Sequence, residues 1–327
     1  MKAIVIEKPG DESVMILGDV PAPVLEAGSL RIRVAATAVN RADLLQRQGL
    51  YPPPPGASEI LGLECAGEVI EVASDVSGWK IGDRAMALLP GGGYAEEAVV
   101  HAGSAMPVPE RLSLEHAAAL PEVFLTVFLN VFQLASQPDG GAALVHGGGS
   151  GIGTAAIQLL KASGSTVIVT AGSDEKCKRC ENLGADVAVN YRTGDFAAEV
   201  KEATGGRGVD VVLDSIGAPY LADNLASLAI GGRLVLIGLM GGAKSEINLG
   251  MLLARRLQVI GSTLRARPVE EKAAIASGFL ERFGSALATG KIAPVVDRIL
   301  GLSDAPDAHR AIQASEHFGK IVLRTNA

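Results

Sequence analysis

The pattern of apolar and polar positions divides the chain into a β-rich first part and a later part in which strands and helices alternate. In roughly the first 120 residues, short β-branched runs recur at 3–7, 30–39, 66–73 and 94–100, separated by Gly, Pro, Asp and Ser. Such runs predict an antiparallel sandwich or open barrel. One helix is expected over about residues 40–48. The run Tyr51–Pro55 predicts a rigid loop, because proline lacks an amide donor.

The period changes to a helical one at 114–134, and strand and helix patterns then alternate. Strands are predicted at 142–146, 166–171, 187–190, 209–215, 232–238 and 257–262, with helices at 151–162 and 174–183. This alternation indicates βαβ units and a parallel sheet. A long amphipathic helix follows residue 267. It precedes a strand at 292–299, a short helix, and a strand at 318–324 that can return to pair with the N-terminal part.

Composition narrows the class of protein. Hydrophobic residues make up 48% and aromatic residues 4%, with 40 glycines, which suits a buried parallel sheet with tight strand-to-helix turns. The net charge of −7, without a long basic run, argues against a nucleic-acid partner. No apolar run reaches the roughly 18 residues of a membrane span. The N-terminus is interpreted as a strand rather than a signal peptide, and three cysteines argue against a disulfide framework, so a cytoplasmic location is expected.

The strongest chemical pattern is a glycine-rich turn between a predicted strand and a predicted helix, LVHGGGSGIGTAAIQLLK at 144–161. Such a turn directs backbone amides and the positive end of the helix at a bound pyrophosphate. The literal GxGxxG pattern is not met, since the best register is Gly148-x-Ser150-Gly151-x-Gly153. Its position inside a βαβ series nevertheless predicts a dinucleotide-binding turn.

The residues after the second strand of that series favour NADPH over NADH. An acidic residue normally bonds the ribose 2′-hydroxyl of NAD there, whereas this chain has Ala171. Ser173 and Lys176 follow and can supply a hydroxyl and a cation to a 2′-phosphate. Tyr191 and Arg192, after the third strand, can stack on adenine or add charge.

No zinc site or hydrolytic site is predicted. None of the histidines is paired with a cysteine at ligand spacing. Cys177 and Cys180 have redox-motif spacing, but they fall in a predicted helix and are interpreted as ordinary helix residues. His146 is expected to be packed or hydrogen-bonded rather than catalytic. Ser150 lacks the elbow pattern of a hydrolase nucleophile.

The whole chain resembles the zinc-independent quinone oxidoreductases (zeta-crystallin-like) of the medium-chain dehydrogenase/reductase superfamily. The likeness is greatest to the tumour-suppressor-inducible NADPH quinone oxidoreductase subgroup. The segments that carry it are AVNRADLLQRQGLYPPPPGAS (38–58), LGLECAGEV (61–69), WKIGDRAMALLPGGGYAE (79–96), LPEVFLTVF (120–128), HGGGSGIGTAAIQL (146–159), TAGSDEK (170–176), LIGLMGG (236–242) and FGKIVL (318–323). Zinc-dependent relatives carry cysteine and histidine where this chain has Asn40 and Leu63, so the resemblance implies no metal. Many quinone reductases have glycine at Ser150, which leaves the fine geometry of the turn open.

The resemblance implies an α/β protein with a GroES-like β-rich catalytic domain and a doubly wound parallel Rossmann domain. The expected boundaries are 1–122 for the first part of the catalytic domain, 123–262 for the NADPH-binding domain and 263–327 for the return to the catalytic domain. A homodimer formed through the Rossmann domain is also implied.

The resemblance further implies which residues contact NADPH. Asn40 and Thr126 are expected near the nicotinamide half. The expected pyrophosphate contacts are Gly148, Ser150, Gly151, Ile152 and Gly153. The other expected contacts are Ser173, Lys176 and Tyr191 at the 2′-phosphate end, Gly217, Gly238, Leu239 and Met240 along the far strands, and Leu264, Arg265 and Lys320 from the hinge and tail.

Hydride transfer to a quinone carbonyl or conjugated carbon needs a donor for the developing oxyanion, and without zinc the candidates are Tyr51 and the Asn40 amide. Single-electron transfer to ortho-quinones needs no proton donor, and the sequence leaves both routes open. Three functions are therefore carried forward. The first is an NADPH quinone reductase, the second an NADPH-dependent reductase of conjugated C=C bonds in enones or enoyl thioesters, and the third an NADPH-binding protein with little turnover.

Overall fold

The computed structural model describes residues 1–325, so residues 326 and 327, the end of the predicted 263–327 segment, lie outside the described part. The chain forms two compact units. Unit 1 comprises Met1–Leu125 and the chain from Leu264 onward, and unit 2 comprises Thr126–Thr263. Unit 2 is thus an insertion within unit 1. Among residues 1–325, no helix is both long enough and apolar enough to cross a membrane.

The strands, in chain order, are β1 (Lys2–Val5), β2 (Ile16–Asp19), β3 (Ser29–Ala38), β4 (Glu64–Val72), β5 (Arg84–Leu88), β6 (Glu97–His101), β7 (Ala105–Pro107), β8 (Ala142–His146), β9 (Thr166–Ala171), β10 (Val187–Asn190), β11 (Val209–Asp214), β12 (Leu228–Leu236), β13 (Gln258–Gly261), β14 (Val296–Gly301) and β15 (Lys320–Arg324). The α-helices are α1 (Arg41–Arg47), α2 (Leu114–Ala117), α3 (Pro121–Val127), α4 (Gly151–Ala162), α5 (Asp174–Leu183), α6 (Phe196–Ala203), α7 (Leu221–Ser227), α8 (Leu249–Arg255), α9 (Val269–Ala288) and α10 (Ala305–Gln313). A π-helical segment, Phe128–Leu134, continues α3, and short 3-10 turns cover Glu12–Val14, Ala102–Ser104, Ala218–Tyr220 and Leu302–Asp304.

Unit 2 is a parallel sheet in the order β10-β9-β8-β11-β12-β13, with every neighbouring pair parallel. Numbered from β8, this is the 3-2-1-4-5-6 order of a doubly wound dinucleotide-binding fold. The strands of its centre are continuously apolar because both faces are covered, and β8 is buried along its whole length. The Rossmann-type sheet predicted from the strand-helix alternation is therefore confirmed.

Unit 1 is built on a mainly antiparallel sheet in the order β14-β15-β3-β4-β5-β7, with β6 also paired to β3. The C-terminal strand β15 returns to this sheet, where Val322 pairs with Ala38 of β3. The core beside β3 and β4 contains Leu30, Ile32 and Val69, all buried. The β-rich first part and the returning tail are both as the pattern indicated.

Several predicted boundaries were wrong. The segment with the helical period, 114–134, is helical as expected, in three pieces, and Pro121, which lacks an amide donor, begins the second of them. Asn40 lies outside α1 and caps it instead. The strand predicted at 292–299 begins only at Val296, since Pro294 precedes it, and the strand predicted at 94–100 runs from Glu97 to His101.

Candidate cofactor site and polar cluster

The glycine turn of unit 2 joins β8 to α4 and leaves no room for side chains. A Cβ on Gly153 would lie 2.3 Å from the carbonyl oxygen of Gly147, and one on Gly148 would lie 2.8 Å from Cβ of Val169. Gly147 itself has a φ of +76°, in the region that favours glycine. The glycines thus let the start of α4 pack directly against the sheet.

Backbone amides remain available at the start of α4. The Ser150 hydroxyl caps the helix by accepting from the Gly153 amide at 3.0 Å, and the Gly148 amide donates to the carbonyl of Thr170 at 2.7 Å. Within the described part of the chain, the amides of Gly151 and Ile152 have no acceptor. Free first-turn amides at the positive end of a helix form a site for an anion such as a pyrophosphate.

The end of β9 brings three predicted cofactor residues together. The Ser173 hydroxyl caps α5 by accepting from the Lys176 amide at 3.2 Å. The Tyr191 phenol lies across Gly172, with its oxygen 2.8 Å from the position of a Cβ there. Ala171, where an NAD-binding acid would stand, is buried. The neighbouring carboxylate of Asp174 accepts a hydrogen bond from the side chain of Asn190 at 2.7 Å.

The segments after β11 and β12 run side by side. Gly217, with a φ of +87°, forms an isolated parallel bridge with Gly242. Gly238 packs closely against Ser215, while Leu239 and Met240 are exposed. These residues, like the glycine turn and the end of β9, follow the carboxyl ends of parallel strands. They therefore lie along one edge of the sheet, where ligands of this fold bind.

His146, the last residue of β8, is part of a buried hydrogen-bond network. Its ring nitrogens lie 3.0 Å from Thr170 Oγ1 and 2.7 Å from Asn224 Oδ1, and the Asn224 amide donates to Asp214 at 3.0 Å. Burial lowers the pKa of His146 to about 4, so the ring is neutral at pH 7. The packed, hydrogen-bonded role predicted for His146 is confirmed. Asn224 and Asp214, which hold the ends of β8, β9 and β11 together, were not singled out from the sequence.

Unit 1 contains a buried polar cluster that includes two predicted site residues. The Lys320 ammonium lies 2.7 Å from Glu64 Oε1 and donates to Asn40 Oδ1 at 2.6 Å and to the Val39 carbonyl at 2.9 Å. The Asn40 amide nitrogen in turn donates to Glu64 Oε1 at 2.9 Å. All three ammonium hydrogens of Lys320 therefore have acceptors. The hydrogen bonds to Lys320 and Glu64 fix the orientation of the Asn40 side-chain amide.

Two further acids adjoin this cluster. The second oxygen of Glu64 accepts from the backbone amide of Glu122 at 2.9 Å, at the start of α3. Burial, followed by the charge of Glu64, raises the pKa of Glu122 to about 8. Asp43 accepts from the backbone N–H of Asn40 at 2.8 Å and from the Tyr94 hydroxyl at 3.1 Å, and burial raises its pKa to about 6.

Tyr51 and Arg265 form a second group in unit 1. The Arg265 guanidinium lies over the Tyr51 ring, 5.4 Å from its centre, and donates to the Pro90 carbonyl and to Gln46 Oε1, both at 2.7 Å. Burial and the nearby Glu122 carboxyl raise the pKa of Tyr51, so the phenol keeps its proton. Tyr51 precedes the proline run, which is outside helix and strand as predicted.

The structure thus brings Asn40 together with Lys320, and Tyr51 together with Arg265. Leu264 is buried in unit 1. Thr126 is buried in α3, where its backbone carbonyl accepts from the side-chain amide of Asn130 at 2.7 Å. The sequence reasoning missed Glu64 and Glu122. The sequence signal that could have identified them is that each is an acidic residue within an otherwise apolar run.

Among the described residues, no group of three or more His, Cys, Asp and Glu side chains is arranged to hold a metal ion. Leu63, which the resemblance aligns with a ligand of zinc-dependent relatives, is buried. Cys65, Cys177 and Cys180 are buried and free, and burial raises the pKa of each thiol.

Comparison with known proteins agrees with these two units. The family described as "Alcohol dehydrogenase GroES-like domain" matches residues 26–110, and the family described as "Zinc-binding dehydrogenase" matches residues 151–278. The chain is 32% identical to the quinone oxidoreductase of Rattus norvegicus, over 99% of this chain and 97% of that protein.

Solved structures are similar over the whole chain. That of Escherichia coli quinone oxidoreductase complexed with NADPH superposes with a TM-score of 0.87 at 30% identity, covering 99% of this chain and 100% of that one. That of an NAD-dependent alcohol dehydrogenase has the same TM-score of 0.87 at 32% identity, with 99% of each chain covered.

A GroES-like unit and a Rossmann unit in one chain define the medium-chain dehydrogenase/reductase superfamily. Within that superfamily, the chain belongs to the quinone oxidoreductase family, and it is an oxidoreductase. The family and the fold class expected from the sequence are confirmed. The subgroup remains a prediction.

Proposed function

We propose that this protein is a zinc-independent, NADPH-dependent quinone oxidoreductase. Unit 2 binds the cofactor, and unit 1 supplies the residues that act on the substrate. The observation that carries the proposal is the end of β9. There a buried alanine replaces the acid of NAD-binding proteins, the Ser173 hydroxyl caps α5 at the backbone amide of Lys176, and the Tyr191 phenol lies across Gly172. The relative solved with NADPH supports this choice, whereas the NAD-dependent relative makes it worth testing directly.

The residues of unit 2 fit a dinucleotide. The free amides of Gly151 and Ile152 would hold the pyrophosphate, together with the turn formed by Gly148, Ser150 and Gly153. Lys176 would add a cation for the 2′-phosphate, and Tyr191 a ring for the adenosine. Gly217, Gly238, Leu239 and Met240 would lie along the remainder of the cofactor. Bound NADPH supplies the hydride.

Zinc independence rests on the residues that stand at the ligand positions. Leu63 has no ligating atom. The side-chain nitrogen and oxygen of Asn40 are already hydrogen-bonded, to Glu64 and Lys320 respectively. An amide held in this way is a poor zinc ligand. Lys320 therefore acts on the site through Asn40 as a positioning residue, and its predicted direct contact with the cofactor remains a prediction, as do those of Thr126, Leu264 and Arg265.

We assign Tyr51 as the hydrogen-bond donor to the oxyanion that develops as the quinone is reduced. Its raised pKa keeps the hydroxyl protonated, and the Arg265 stack fixes the ring. The Tyr51→Phe variant should lower kcat for quinones about tenfold and leave the Kd for NADPH unchanged. Unchanged turnover would remove Tyr51 from the mechanism and favour single-electron transfer.

The function is tested by following NADPH oxidation with ortho-quinones, para-quinones, enones and enoyl thioesters. We expect quinones, ortho-quinones above all, to have the highest kcat/KM. Higher values for the enones or thioesters would instead identify a reductase of conjugated C=C bonds, and binding of NADPH without turnover would indicate a binding protein. A homodimer formed through unit 2 and a cytoplasmic location belong to the same proposal.

A further inference from the structure

Unit 1 contains a cavity of about 770 Å³, large enough for a small organic molecule. The proline loop at Pro54 and Pro55, the glycine segment at Gly91, and residues 265–269 before and at the start of α9 contribute to its wall. Lys272, in the first turn of α9, lines it as well.

Lys272 is the unusual member of this lining. Only 7% of the surface of this residue is exposed. Among residues 1–325, its ammonium has no hydrogen-bond or ion-pair partner, whereas the other well-buried lysine, Lys320, has three acceptors. The side chain is largely removed from solvent and lines the cavity, so an anion bound there would find an ammonium that no protein group pairs.

The start of α9 adds a second positive feature to the same wall. Pro268 occupies the N-cap and offers no side-chain acceptor to the free amides of the first turn. In a helix of 20 residues these amides mark the positive end of the helix dipole. Glu271, in the same turn, is paired with Arg267 at 2.7 Å.

The other charges around the cavity do not neutralise Lys272. Arg265 lines the cavity, but its guanidinium is held by Pro90, Gln46 and Tyr51. Of the acids, Glu97 lies 3.7 Å from the Arg31 guanidinium, and Glu26 is exposed. Burial raises the pKa of Glu122, the acid whose charge acts most on Lys272, to about 8, so it is mostly protonated at pH 7.

We propose that this cavity binds a carboxylate, with Lys272 as its counter-ion, and that the quinone substrates of the enzyme carry one. The identification of this carboxylate ligand as a substrate rests on the proposed function. A carboxylate fits better than a phosphate, because one ammonium compensates a single charge, whereas phosphate sites use several donors or an arginine fork. Glu26 and Glu97 on the lining further disfavour a dianion.

The binding step is tested without turnover by titration calorimetry of the NADPH-loaded protein with 2-naphthoate and with its neutral isostere 2-naphthamide. We expect the carboxylate to bind at least tenfold more tightly. In Lys272→Met, which keeps the length of the side chain without its charge, the ratio should fall to about one. Lys272→Arg should retain a preference, and the exposed control Lys291→Met should retain it fully. Equal Kd values in the unmodified protein, or an unchanged ratio in Lys272→Met, would overturn the proposal.

The substrate step is tested with a naphthoquinone carboxylic acid and its methyl ester. The acid should show at least a tenfold lower KM in the unmodified enzyme and no advantage in Lys272→Met, with kcat little changed. Turnover of neither compound, alongside a retained preference for naphthoate, would reject the quinone reductase function and leave the carboxylate site in place. Equal turnover of both, without a preference for naphthoate, would reject the carboxylate site and leave the function in place.

Discussion

The two candidate sites of this protein are built from different chemical groups, backbone in one and side chains in the other. The cofactor edge of unit 2 consists of backbone, in which glycines and free amides follow one another within a few residues of a single turn. The cluster of unit 1 consists of charged and polar side chains from distant parts of the chain, such as Lys320 and the Asn40 amide, which are 280 positions apart. A backbone site depends on small residues that leave space, whereas a side-chain cluster depends on the pairing of buried charges. Substitutions should therefore damage the two sites in different ways.

The largest effect is expected from Lys320→Met in the side-chain cluster. It would leave Glu64 buried without its counter-ion, which should lower the free energy of unfolding of unit 1 by about 3–5 kcal/mol. Fluorescence of Trp79, the single tryptophan and a residue of unit 1, reports this in a denaturant titration. The double variant Lys320→Met/Glu64→Leu should recover much of the loss. A loss below about 1 kcal/mol for the single variant would mean that the pair does not hold the cluster together.

The matching change in the backbone site is Gly153→Ala. The new Cβ would lie 2.3 Å from the Gly147 carbonyl, so the turn must open, and the Kd for NADPH should rise about 100-fold, or roughly 2.8 kcal/mol. Fluorescence titration with NADPH measures the change. The control is Gly284→Ala, another helical glycine, where the added methyl would meet nothing closer than 3.9 Å and stability should rise slightly. Equal NADPH affinity in both variants would show that the turn does not hold the cofactor.

Glu122 should make unit 1 sensitive to pH. Its pKa is raised from 4.5 to about 8, so the folded state prefers the protonated acid. This contribution to stability is complete below pH 4.5 and is lost as pH rises through 8. Relative to Glu122→Gln, the unmodified protein should therefore lose about 2 kcal/mol between pH 6.5 and 9, as measured by denaturant titration at each pH. The exposed control Glu110→Gln should show a constant difference, and a constant difference for Glu122→Gln would contradict the burial of an uncharged acid.

The smallest effect is expected at the cofactor end of unit 2. In the unmodified protein, NADPH should bind at least tenfold more tightly than NADH, about 1.4 kcal/mol, and Lys176→Ala should reduce this ratio severalfold. Lys178→Ala, which removes an exposed lysine paired with Glu181, is the control and should keep the ratio. Equal Kd values for the two cofactors in the unmodified protein would exclude the proposed NADPH preference.

Most of the fold could be predicted from the sequence because its patterns are local. The helix at 151–162 and the strand at 166–171 were predicted with the bounds that the structure has. The period of apolar residues reflects which face of an element is buried, and this information lies in neighbouring residues. The predictions were wrong where a single residue overrode the pattern, as Pro294 does ahead of the strand predicted at 292–299, which begins only at Val296.

The sequence by itself determined the strand-helix alternation, the glycine turn and the absence of an acid at Ala171, since each depends on residues close together in the chain. Only the tertiary structure decided that Lys320 pairs with Glu64 and Asn40, and that Lys272 faces a cavity without a partner. The physical reason is that the state of a charged side chain depends on how deeply the fold buries it and on which other charges the fold brings within a few ångströms. Neither quantity is encoded in any short stretch of sequence.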